Sequence, residues 1–251
     1  MGDIGGPLPR FEGRTVLVTG GSMGIGAALV DAFTAAGANV VVGARHPTDA
    51  RDDGREGRPL MVRCDVGVEA DRRSLLETAT TRFGGIDVLV NNAGFARSAP
   101  ALDESATDVE RTIGTNLTAS FELSRLVARQ MIAQGAGSIV NVASVSAAHV
   151  MDRYALASYA ASKAGLVALT RELAAQWGRH GVRVNAVAPG WFPTRMNGFL
   201  TDPDQATWVS RHTSLGRPGR VEEMTGPVLF LASDAASYIT GQLLPVDGGW
   251  H

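Results

Sequence analysis

Short β-branched runs alternate with longer helical patterns along almost the whole 251-residue chain, and that alternation leaves few architectures open. Residues 15–19, 39–43, 60–64, 86–90, 138–142, 183–187 and 243–246 read as strands. Helical periodicity occupies residues 25–36, 69–83, 108–134, 157–179 and 221–231, each between two strands. Strand, helix, strand is the parallel βαβ unit, so the expected fold is α/β, a doubly wound, Rossmann-type sheet. Two stretches break the rhythm. Residues 46–59 are polar, with glycines and prolines, and read as a shortened crossover; residues 191–218 read as irregular, and their place after the sixth strand suits a substrate-binding loop or lid.

A hydrophobic fraction of 45% and a charged fraction of 19% suit one globular domain, here residues 13–251 behind an extension of residues 1–12. A formal net charge of −2 gives no broad attraction to nucleic acid or anionic lipid, so neither is expected as a partner. With Cys64 as the only cysteine, an intramolecular disulfide or a cysteine-built metal site is excluded. No apolar run approaches the ~18 residues that cross a bilayer, and residues 1–13 lack the basic and apolar regions of a secretory leader. A cytoplasmic protein is expected.

Three local signals carry chemistry. Thr19-Gly20-Gly21-Ser22-Met23-Gly24-Ile25-Gly26 stands directly after a strand and opens a helix. Glycines there permit a tight turn and close backbone approach to a pyrophosphate, and the helix N-terminus offers free N–H groups. Tyr159 and Lys163 lie four residues apart in a helical pattern, hence on one face. An ammonium beside a phenol favours the phenolate, which would bring a tyrosine toward neutral-pH acid/base work. Ser144 ends the fifth strand, on the side of the sheet where ligands of open α/β folds bind. Each signal alone is weak: a YxxxK pair occurs often on helix surfaces, and a serine at a strand end is commonly a turn residue.

In combination and in order they resemble something specific. Thr19, Gly20, Gly24, Gly26, Asp65, Asn91-Asn92-Ala93-Gly94, Asn116, Ser144, Tyr159xxxLys163, Pro189-Gly190 and Asp247-Gly248-Gly249 are similar to the motif set of the classical short-chain dehydrogenase/reductase family, from about Gly13 to Trp250. The resemblance implies strand order 3-2-1-4-5-6-7 and an NAD(P)-dependent oxidoreductase moving a hydride between a nicotinamide and a carbonyl or secondary alcohol. It implies cofactor contacts from Gly20, Ser22, Met23, Gly24, Ile25, Gly26, Arg45, Asp65, Val66, Asn92, Ala93, Gly94, Tyr159, Lys163, Pro189, Gly190 and Thr194, with Asn91 also beneath the cofactor. Tyr159 is implied as general acid/base, Lys163 as its pKa modulator and ribose binder, Ser144 as the group that positions the substrate oxygen, and Asn116 as holder of a water linking Lys163 to solvent. No metal is implied, and a homotetramer is.

One spacing departs from the family. Its serine usually precedes the tyrosine by about thirteen residues; Ser144 precedes Tyr159 by fifteen and Ser146 by thirteen. The Asn-Val-Ala-Ser context after the strand favours Ser144, with two residues inserted in 149–156. Cofactor choice turns on the end of the second strand, where an NAD site of this type carries Asp or Glu. Here Ala44 takes that place and Arg45 follows, so NADP(H) is expected over NAD(H), with Asp49 and Asp52 of the crossover as the competing ribose ligands. Trp191, Phe192, Met196, Phe199 and Trp208 suggest a partly apolar substrate pocket, to which residues 149–154 would add a wall. A medium-sized ketone, a gluconate-type sugar acid and a 3-oxoacyl thioester stay open, the last with Arg125 and Arg129 as carrier contacts. The intact Ser144–Tyr159–Lys163 set speaks against a cofactor-binding sensor and against a purely structural oligomer.

Overall fold

The computed structural model describes residues 9–46, 58–151 and 153–251. Among these, seven strands form one parallel sheet: β1 Thr15–Thr19, β2 Asn39–Ala44, β3 Leu60–Arg63, β4 Val88–Asn91, β5 Gly137–Val142, β6 Val182–Pro189 and β7 Leu243–Val246. Their order is β3-β2-β1-β4-β5-β6-β7, with register pairs such as Val16↔Val88 and Val90↔Val140. The order reverses between β1 and β4, and the crevice at such a switch point is where ligands of open sheets bind.

Alternate strand residues build two cores. Val16, Val18, Val40, Val42, Val88, Val90 and Val140 bury one face against Leu29, Phe33, Val228 and Leu229 of helices α1 (Gly24–Ala35) and α7 (Thr225–Ala232). Leu17, Val41, Leu89, Ile139 and Val184 bury the other face against α2 (Glu69–Phe83), α4 (Ala119–Gln134) and α5 (Ala157–Trp177).

The helical pattern at 108–134 is one long rod in three parts: α3 (Ala106–Ile113), a π turn over Gly114–Thr118, and α4. It begins two residues before its apolar repeat because the Ser105 side chain accepts a hydrogen bond from the Asp108 N–H. The stretch at 191–218 is more regular than its composition suggested. It contains a 3₁₀ segment, Arg195–Thr201, and the nine-residue helix α6, Pro203–Arg211. Asp202 caps α6, with its carboxylate accepting from the Asp204 N–H at 2.9 Å, and Pro203 stands in its first turn. Asp-Pro was the signal for this helix. The crossover at 47–57, with Asp49 and Asp52, lies outside the described residues.

Candidate active site

A cavity of about 1100 Å³ opens beyond the carboxyl ends of the strands. One end is bounded by Arg45 after β2 and by Asp65 and Val66 after β3; the middle by Gly20, Ser22, Met23, Gly24, Ile25, Gly26, Asn92, Ala93 and Gly94; the far end by Ser144, Tyr159, Lys163, Pro189, Gly190 and Thr194.

The middle is shaped by missing side chains. Gly20 and Gly24 sit in the left-handed region at φ 67° and 54°. A Cβ on Gly26 would lie 2.3 Å from the Gly20 carbonyl oxygen and 2.5 Å from Asn92 Nδ2. That Asn92 amide donates to the Thr19 and Gly20 carbonyls at 2.9 and 3.1 Å, and Thr19 Oγ1 accepts from the Asn92 and Ala93 N–H groups at 3.0 and 3.1 Å. Strand ends β1 and β4 are thereby stitched together beneath the crevice. Helix α1 has no side-chain N-cap and no acid in its first turn, so its first N–H groups and its positive end are left for an anion. This cradle fits a dinucleotide pyrophosphate. Asp65 and Val66 are held in place as well: Asp65 Oδ1 accepts from the Gly67 N–H at 2.9 Å, Asp71 Oδ2 from the Asp65 N–H at 2.8 Å, and the Val66 carbonyl from Arg72 Nη1 at 2.6 Å.

Asn91 is placed differently from the expectation. Its side chain turns into the protein, where Nδ2 donates to Ser124 Oγ and Asn141 Oδ1, both at 2.9 Å. Side chains alternate along a strand, so Asn91 and Asn92 cannot both face the crevice.

At the far end Lys163 is buried, and its Nζ donates to the Val142 carbonyl at 2.7 Å, 5.8 Å from the Tyr159 ring centre. Burial pulls the ammonium down to about 8. Burial also raises the Tyr159 phenol above its ordinary value, against the pull of a hydrogen bond from Ser144. The sequence suggested that the lysine would favour the phenolate. Here desolvation raises the phenol, and the Lys163 ammonium is aimed at the Val142 carbonyl. Of the two serines, Ser144 is the one whose hydroxyl pulls the Tyr159 phenol downward. Ser146 stands behind it: its Oγ and N–H donate to Ser144 Oγ at 2.9 and 3.2 Å.

Asn116 sits in the π turn, fully buried. Its Oδ1 accepts from the Phe95 N–H at 2.8 Å, and its Nδ2 donates to the Phe95 carbonyl and to Ser162 Oγ, both at 2.9 Å. Ser162 donates onward to the Tyr159 carbonyl at 2.7 Å. The serine inside the Tyr-Ala-Ala-Ser-Lys run thus fastens the tyrosine's helix to the π turn, a role its position did not announce.

Of the expected pocket residues, Trp191, Phe192 and Met196 line the cavity together with Met151, Tyr154 and Leu156 of the 149–156 segment. Trp208 does not line it; it packs behind Trp191, at 5.8 Å between ring centres, and against Trp250 at 5.3 Å. Trp250 came from a tail whose sequence offered no reason to look there.

A family model described as "Enoyl-(Acyl carrier protein) reductase" matches residues 20–251. The chain is 39% identical over 248 residues to "Gluconate 5-dehydrogenase" of Gluconobacter oxydans, covering 96% of each chain. The chain is a classical short-chain dehydrogenase/reductase. As such it is an NAD(P)-dependent oxidoreductase acting on carbonyl and alcohol groups. It is also 40% identical over 249 residues to "3-oxoacyl-[acyl-carrier-protein] reductase FabG" of Escherichia coli, covering 96% of this chain and 99% of the other. Among solved structures it resembles a gluconate 5-dehydrogenase from Burkholderia cenocepacia in complex with NADP and tartrate, at 38% identity and TM-score 0.89, covering 95% of each chain. No helix among the described residues is long and apolar enough to cross a membrane.

Proposed function

We propose that this oxidoreductase works as an NADP(H)-linked carbonyl reductase in which Ser144 and Tyr159 flank the reacting oxygen, in a protein that is cytoplasmic and homotetrameric. The observation that carries the reading is the half-buried Tyr159 phenol at the wall of the cavity, beside Ser144 and Lys163 and raised above its ordinary value by desolvation. The nicotinamide, when bound, supplies the hydride to the carbonyl carbon. Tyr159 Oη delivers the proton to the carbonyl oxygen as it becomes an alcohol. Ser144 Oγ already accepts two hydrogen bonds from Ser146, so its own proton is directed outward, to the substrate oxygen or the phenol. Lys163 holds a second exchangeable proton within the same buried cluster and supplies donors for a ribose. Asn116 acts as a positioning residue. A side chain at Gly94 would meet Asn116 Oδ1 at 3.6 Å and Lys163 Nζ at 3.8 Å, and we assign the linking water to the space that this glycine leaves.

The NADP preference is supported by the absence of a carboxylate at Ala44 and by the exposed Arg45 at the same end of the cavity. Residues 191–218, with α6, serve as the substrate lid. A gluconate-type acid and a 3-oxoacyl thioester are the substrates that the relatives' names suggest. The second is weakened by Arg125, whose Nη2 is paired with Glu122 Oε2 at 2.6 Å and is poorly placed to attract an acidic carrier.

Kinetics test the assignment. Tyr159→Phe is expected to cut turnover by about 10³-fold or more while cofactor affinity, read by fluorescence titration, is retained. Ser144→Ala is expected to cost on the order of 10²-fold, and Ser146→Ala less than roughly tenfold. The opposite ranking of the serines would transfer the role to Ser146. Sedimentation at micromolar concentration checks the tetramer.

A further inference from the structure

Past Ser144 and Tyr159, the cavity is walled by part of a separate apolar cluster. Val145, Met151, Tyr154, Leu156 and Trp191 belong both to the cavity lining and to that cluster. Val145, Met151 and Trp191 are each less than a tenth exposed. The Trp191 ring is fixed from three sides, by Tyr154 at 5.4 Å, Trp250 at 5.5 Å and Trp208 at 5.8 Å between ring centres. The polar tip of Tyr154 is spent on the lid, with Oη donating to Gln205 Oε1 at 3.1 Å. Arg153 points the same way: its Nη1 donates to Gln205 Oε1 at 3.2 Å, and its guanidinium stacks over Trp208, which is outside the cavity. The charged side chains that line the cavity include Arg45, Asp65, Glu110, Arg111, Lys163 and Arg195, and none belongs to this cluster. Of these, Arg111 lies over the Phe95 ring at 4.1 Å, and Arg195 is exposed.

A sugar acid brings a carboxylate and several hydroxyls, and against the carbon faces of this wall those groups would lose water and gain few partners. A flat, rigid apolar group loses nothing there and meets ring faces held at fixed angles. We propose that the substrate carries its carbonyl next to an aryl or alicyclic group, and that Trp191 and Tyr154 select that group. The proposal rests on the reading that Ser144 and Tyr159 flank the reacting carbonyl.

The test uses the full-length enzyme with NADPH and three substrates: 1-tetralone as aryl-alicyclic ketone, 5-ketogluconate, and an acetoacetyl thioester. The expected result is a kcat/KM for 1-tetralone roughly 100-fold above that for 5-ketogluconate, and above that for the thioester. Trp191→Ala is expected to lower it roughly tenfold or more through KM, and Trp191→Phe to recover most of the loss. Equal or better turnover of 5-ketogluconate or the thioester overturns the proposal. Binding is read separately, by quenching of tryptophan fluorescence with 1-tetralone in Tyr159→Phe. Quenching that Trp191→Phe removes supports the wall even where no ketone is reduced, an outcome that would sink the assignment of Tyr159 and Ser144 instead. Absence of quenching together with absence of tetralone turnover overturns the proposal, whether or not Trp191→Ala folds.

Discussion

The two ends of the cavity are built from different material. Around the glycine turn the walls are backbone: carbonyls, N–H groups and the spaces left by absent Cβ atoms, fastened by Thr19 and Asn92. Around Trp191 the walls are large side chains gathered from residues 145–156 and from the lid, backed by Trp208 and by Trp250 of the tail. A backbone wall leaves its ligand little play, because an added atom collides with something that cannot rotate away, as a Cβ on Gly26 would with the Gly20 carbonyl. A side-chain wall can be recut by substitution without disturbing the sheet, which is how one scaffold comes to serve many substrates.

The largest break in this contrast is expected from Gly26→Ala, whose methyl would press on the Gly20 carbonyl and Asn92 together. Cofactor affinity should fall on the order of 100-fold, measured by nicotinamide fluorescence, while circular dichroism reports an intact sheet. Unchanged affinity would mean that the backbone wall yields as easily as the aromatic one.

Lys163 sharpens the comparison by giving the buried end a pH signature. Its folded value is about 8, while the unfolded chain keeps the ordinary 10.5. Below about 8 both states carry the charge and the cost of burying it is present in full. Between the two values the unfolded chain binds a proton that the folded chain has released, so stability rises with pH across that window. Tyr159 opposes this from about pH 10 upward, where the unfolded phenol ionises first. Urea unfolding of the cofactor-free enzyme at pH 8 and pH 10 should show a gain of roughly 2 kcal/mol, absent in Lys163→Met. The same slope in both proteins would assign the rise to other groups.

The smallest effect is expected at the exposed edge. Arg45→Ala should raise KM for NADPH roughly tenfold and leave NADH within about twofold. Steady-state kinetics with both cofactors checks it, and a parallel loss for both would deny Arg45 any part in discrimination.

Legibility followed the same division. The glycine turn, the strand runs and the Tyr159–Lys163 pair could be read because backbone demands are local: a tight turn needs glycine at a set offset, and a helix repeats on a fixed period. Asn91 escaped because the Asn-Asn-Ala-Gly run gives no hint of which amide faces inward; strand alternation decides that once β4 is known to end at Asn91. Helix α6 escaped although Asp202-Pro203 announced its start, because its Trp208 reads as a loop aromatic rather than as part of a helix face. Trp250 could not be found at all: its ring partners Trp191, Trp208 and His212 lie far from it along the chain, and only the fold brings them to 5.5, 5.3 and 5.7 Å between ring centres.

The π turn at Gly114–Thr118 has a consequence for how the site can change over time. Such a turn is a helix holding one residue more than its regular count. Removing that residue would leave one regular α-helical rod with its two flanks still in phase. It would also close the widened turn that holds Asn116 against Phe95 and Ser162. The surplus residue therefore shapes the place of Asn116 and leaves the rest of the rod as it is. A single-codon deletion there would pass selection for folding and fail selection for chemistry, so length in this helix is inherited as a property of the active site.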